Sequence, residues 1–160
     1  MSDLLANDVR RHFEKAFQTI TGIIDAFPED AWLKPHGDDY YLPSRIAYHI
    51  AVVIDRYLAK GYLNPDFAPP YGNFMEATAQ SLPGKADLIL YMNKTMDKAR
   101  GILSALDDAI LRSAPDQTAS ALGETWVGVY LYIIKELAAH IGELNKMLIE
   151  NGLPDIWIAR

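Results

Sequence analysis

Large apolar residues recur at steps of three and four in four separate stretches, with no strand-like alternation between them, so the sequence predicts an all-α fold. The first stretch opens at Leu4 and sets Leu5, Val9, Phe13, Phe17, Ile20, Ile24 and Phe27 on one helical face. Pro28 closes it, because proline disfavours helical geometry in the residue before it, and PEDAW then starts a short turn of its own. After a connection from Trp32 to Pro43, Ser44 is placed to cap a second helix through RIAYHIAVVIDRYLAKGY, with Ile46, Ile50, Val53 and Tyr57 on one face. A third helix begins near Lys85 and carries Leu88, Met92, Met96, Ala99 and Leu103. The fourth runs from about Trp126 to Asn151, with Tyr130, Ile133, Leu137, His140, Leu144 and Met147 spaced for one face, and stops at Asn151-Gly152-Leu153-Pro154.

Four such stripes bury most simply around a common axis, as an up-down-type four-helix bundle. The expected organisation is a single domain over 1–152 with a C-terminal tail over 153–160. Residues 107–124 read as a polar connection. The connection from Asn64 to Gly84 holds Pro65, Pro69, Pro70, Gly72 and Pro83, too many breakers for one regular element, and a connection of that length is often functional. Short extra helices are expected at 28–35 and 73–82; if they pack as full elements, three-helix or two-layer arrangements become alternatives.

A chain of 160 residues suits one domain, which at this size buries roughly 70% of the surface its unfolded form exposes. The sequence contains no cysteine, which excludes a disulfide framework, a thiolate zinc site, an iron–sulfur cluster and a cysteine nucleophile. Any metal must therefore be held by nitrogen and oxygen. The net charge of −6 comes with one small basic cluster, Arg10-Arg11, so no basic stripe exists to attract a phosphate backbone, and nucleic acid is not an expected partner. The N-terminus has no apolar core of signal-peptide length, and the longest apolar run, Trp126 to Ile134, falls well short of the roughly 20 residues that span a bilayer. A cytoplasmic location with no membrane partner is the corresponding expectation. There is no glycine-rich phosphate loop, no nucleophile elbow and no serine with an evident base.

His49 lies mid-helix between Ile46 and Val53, at or beside the core, where an imidazole nitrogen without a partner costs on the order of 1–3 kcal/mol. On the fourth helix, Glu136 and His140 are four residues apart and project from one face, together with Ile133 and Leu144. A carboxylate beside an apolar stripe must be paired, protonated or bound to a cation. One divalent cation would meet all three needs, and two histidines with one carboxylate form a recurring ligand set that leaves positions open for water or substrate. The alternative from spacing alone is a hydrogen-bonded core histidine and an ordinary i,i+4 Glu–His pair on a solvated face. His12 and His36 read as surface or boundary residues, and Asp55-Arg56 as a solvated pair or as groups reaching one end of the pocket. Trp126, Tyr130 and Tyr132 read as core or dimer contacts, and Tyr71, Phe74 and Met75 as a lid over the site.

Three segments, FPEDAW after the first helix, PSRIAYHI entering the second and AHIGEL on the fourth, resemble the DinB-like superfamily of four-helix-bundle proteins over nearly the whole chain. In that family a histidine on the second helix and a His-x-x-x-His pair on the fourth, followed by a Gly-Gln type step, bind a divalent metal. His49 matches the first position and His140 the last, while Glu136 stands where the family usually has its middle histidine. Carboxylate can replace imidazole at such a metal, whether zinc, nickel, iron or manganese. The resemblance implies a metal-dependent enzyme that uses a low-molecular-weight thiol, transferring it to a small-molecule substrate or isomerising a small organic acid. The cation would act by lowering the pKa of a thiol or water, and hydrolysis fits the same residues. The competing expectation is a non-catalytic homodimeric bundle in which Glu136 and His49 pair across the core and the apolar tail, Leu153 to Ile158, covers a neighbouring chain or the bundle's end.

Overall fold

The first apolar stripe forms α1 (Leu4–Ala26), which buries Phe13, Phe17, Ile20, Ile23 and Ile24 and ends at Phe27, whose backbone is extended before Pro28. The computed structural model describes residues 3–38 and 40–157, and within them the chain is all-α with no β-strand. The second helix, α2 (Pro43–Val53), starts on a proline whose fixed φ suits the first helical position. Because Pro43 takes that place, Ser44 already lies inside the first turn. Its hydroxyl donates to the Pro83 carbonyl at 3.0 Å, and no side chain caps this end. Ser44 therefore fastens α2 to the end of the long connection and does not cap the helix as its position in the sequence suggests.

Beyond Val53 the helix widens into a π-helical turn, Ile54–Leu58, and stops where Lys60 takes a left-handed conformation (φ 55°). Gly61 then lets the chain pass close to the turn it has just left: a Cβ there would lie 2.6 Å from the Asp55 carbonyl oxygen and 2.7 Å from the Phe67 ring. The second helix is thus shorter than the sequence suggests.

α3 spans Lys85–Ser104, as expected from its period. Residues 107–124 are less irregular than predicted. Asp107 accepts from the Ile110 amide at 2.6 Å and caps a five-residue helix, α4 (Asp108–Arg112), and a 3-10 turn follows at Ala119–Ala121. The longest helix, α5 (Trp126–Glu150), is capped by Thr125, whose hydroxyl accepts from Gly128 N. The extra helices expected at 28–35 and 73–82 do not form; both segments are turns. In the second, the Phe74 and Ala77 carbonyls, which a continuing helix would use internally, accept from the buried Arg45 guanidinium instead.

α1 packs against α3 and α5, and α2 packs against the same two helices. The large side chains they share, such as Phe13 set edge-on to Tyr130 at 5.9 Å, are almost fully buried, each worth roughly 1.5–3 kcal/mol. The tail folds back on its own chain. Ile156 donates its amide to Asn145 at 2.8 Å, accepts from the Asn145 side chain at 3.0 Å, and lies over Gly22 of α1. Ile158 and the two residues after it lie outside the described residues. No described helix is long and apolar enough to cross a membrane.

Candidate metal centre

Packing of α2 on α5 brings His49 to Glu136 and His140. The two imidazoles stand edge to face, 4.5 Å between centroids and 85° between planes, and His140 Nε2 is 4.0 Å from a Glu136 oxygen. One ligand atom from each of the three residues lies within 4.8 Å of the others. Ligands of a single ion bonded at about 2.0–2.2 Å sit somewhat closer than that, so the three side chains would have to draw together around one cation.

Burial pushes the His49 pKa down to about 4; nearby His140 adds to the shift and Glu136 opposes it. The ring is therefore neutral at pH 7, with a lone pair to offer. Its Nδ1 is buried and has no hydrogen-bond partner, and no hydrogen bond or ion pair joins it to Glu136. Two imidazoles and a carboxylate converging to this distance are a donor set that fits a divalent cation, and the group could hold a metal ion. Glu136 is less enclosed than its spacing implied. Its side chain is 27% exposed and lies 3.3 Å from Lys135 Nζ, so its charge is partly solvated.

Of the three lid residues expected, only Phe74 covers the site, its ring 4.1 Å from that of His49. It is held there because Arg45, one helical turn before His49, donates to the Phe74 and Ala77 carbonyls. Tyr48 pins the same connection by donating to the Gly72 carbonyl at 2.8 Å and accepting from the Tyr71 amide at 3.1 Å. Tyr71 packs instead against Tyr48 and Tyr91, and Met75 is exposed.

The remaining expectations divide. His12 is exposed, as predicted. His36 is a boundary residue, as predicted, and an anchored one: its side chain is only 9% exposed, with Nδ1 2.8 Å from Glu150 and Nε2 accepting from the Asn151 side-chain amide, which ties the 27–42 connection to the end of α5. Asp55 and Arg56 do not form a solvated pair. Asp55 is buried and accepts from the Tyr91 hydroxyl at 3.0 Å and Lys98 Nζ at 3.1 Å, while Arg56 lies over the Tyr57 ring. Trp126 and Tyr130 stack in the core, and Tyr132 lies at the surface beneath Lys135.

Two residues next to the site were not singled out from the sequence. Arg45 contacts carbonyls some 30 positions away, which no local pattern reveals, whereas Glu143, 2.7 Å from His140 Nδ1, is three residues on along the same helix and was within reach of spacing. No family model matches the chain and no curated protein matches it significantly, so what can be concluded about the centre rests on these three converging side chains and their surroundings.

Proposed function

We propose that the chain is a metal-dependent enzyme of the DinB-like type, an up-down four-helix bundle over 1–152 that holds a divalent ion on His49, Glu136 and His140. It acts on a small molecule as a thiol-dependent transferase or a hydrolase. The observation that carries this reading is the convergence of one potential ligand atom from each of His49, Glu136 and His140 to within 4.8 Å, on a His49 ring whose buried Nδ1 has no hydrogen-bond partner. When bound, a divalent cation supplies Lewis acidity, which makes a thiol or water nucleophilic at neutral pH. His49 is kept neutral by burial and so remains a competent donor. Glu136 supplies the negative charge, and Phe74, held by Arg45, shields one side of the site from water. A low-molecular-weight thiol as co-substrate, a cytoplasmic location, no nucleic-acid partner and a homodimeric state belong to the same proposal. Exposed Leu131 and Tyr132 on α5 are the kind of surface a second copy would cover.

Elemental analysis of untagged protein, wild type against His140→Ala, tests the reading. About one equivalent of zinc, nickel, iron or manganese, lost in the variant, is the expected result, and activity in a thiol-conjugation panel should then depend on that ion. No metal in either protein, even after supplementation, would mean that Glu136 has undone the site and would leave a non-catalytic bundle.

A further inference from the structure

On the proposal that the centre holds a metal, we infer that Glu143 is its positioning residue, fixing His140 with the proton on Nδ1 and the bare Nε2 turned toward Glu136. A neutral imidazole has one N–H donor and one acceptor nitrogen, and an ionised carboxylate can only accept. Glu143 Oε2 lies 2.7 Å from His140 Nδ1, a contact that an Nδ1–H donating to the carboxylate satisfies. The lone pair is then on Nε2, the nitrogen that faces the Glu136 carboxylate at 4.0 Å. Both residues sit on α5 three positions apart, so the helix itself sets their separation.

Glu143 is not one of the three converging ligand groups. Its side chain is 38% exposed and also lines an open cavity of about 300 Å³ with His36, Lys146 and Glu150. It reaches the centre only through His140. Histidine ligands commonly donate their second ring N–H to a carboxylate, which fixes the tautomer and raises the basicity of the coordinating nitrogen.

The test uses metal-free protein at pH 8, with the His140 tautomer read from long-range nitrogen–proton NMR correlations in wild type, Glu143→Gln and Glu143→Ala. Zinc affinity is then measured by competition with a chelator. Wild type should show the Nδ1–H form. The Gln variant keeps an accepting oxygen and should retain that form with affinity close to wild type. The Ala variant should lose it and bind zinc about 10- to 100-fold more weakly, while its melting temperature stays near that of wild type. An Nε2–H form in wild type, or an Ala variant that keeps the Nδ1–H form and wild-type affinity, would overturn the inference. Failure of wild type to take up zinc, with the tautomer still dependent on Glu143, would sink the metal reading and uphold the positioning of His140.

Discussion

Among the described residues, the buried side-chain atoms without a hydrogen-bond partner are Arg45 Nε, His49 Nδ1 and the Tyr130 hydroxyl. The same deficiency means different things at His49 and Tyr130. Two further groups that could ligate a metal converge on His49, whereas the rings of Phe13 and Trp126 pack around Tyr130, whose pKa burial alone pushes up to about 12. At Tyr130 the hydroxyl is a desolvation cost with nothing evident to offset it, so Tyr130→Phe should be neutral or stabilising by up to about 1 kcal/mol. For a chain of this length that is a rise of roughly 2–4 °C in melting temperature, readable by calorimetry. A drop of several degrees would show that the hydroxyl has a partner after all. The convergence of His49, Glu136 and His140 was legible in the sequence because helical spacing relates Glu136 to His140 and an apolar neighbourhood marks His49. Arg45 and Asp55 were not. Each is buried against groups distant in sequence, the Phe74 carbonyl for one and Tyr91 with Lys98 for the other, and periodicity carries no information about such partners.

At the scale of elements, the four long helices were readable because each sustains its apolar period for well over two turns, whereas α4 makes scarcely more than one and rests on a single Asp107 cap. The π-helical turn left no trace in the pattern, since one extra residue per turn looks like an ordinary continuation over five positions. The seam between α1 and α3 offers an electrostatic test. Arg100 donates to both oxygens of Glu14, at 2.9 and 3.1 Å, and this bonding holds the Glu14 carboxyl below its ordinary value of 4.5. A carboxyl depressed in the folded state contributes stability that is fully present above its unfolded pKa and is lost as pH falls through the folded value. Both side chains are more than 40% exposed, so solvent screening limits the pair to about 0.5 kcal/mol. Glu14→Gln should therefore lower the melting temperature by a degree or two at pH 7, and the gap between variant and wild type should close as pH falls below about 4.5. A gap that is constant from pH 7 to pH 3 would assign the loss to packing and not to charge.

For the whole molecule, the question is whether the apolar end of the chain completes its own fold or is held for a second copy. The geometry favours the first. Asn145, 3% exposed, meets Ile156 with a reciprocal pair of hydrogen bonds, and the Ile156 side chain rests over Gly22, so the tail bridges α5 and α1. Composition alone could not decide this, because an apolar tail suits either surface equally; the deciding residue is a buried asparagine whose role appears only when its partner is in place. Removing residues 153–160 strips both bonds from the Asn145 amide and returns the buried part of Ile156 to water. Part of the amide's loss is recovered by solvent, which leaves a cost of about 1–3 kcal/mol. The truncated chain should accordingly melt roughly 3–10 °C lower, with its mass by light scattering matching that of the full chain across protein concentrations. If the tail instead serves a neighbour, truncation should shift the oligomeric state toward monomer, and the melting temperature of the full chain should rise with protein concentration in a way that the truncated chain does not share.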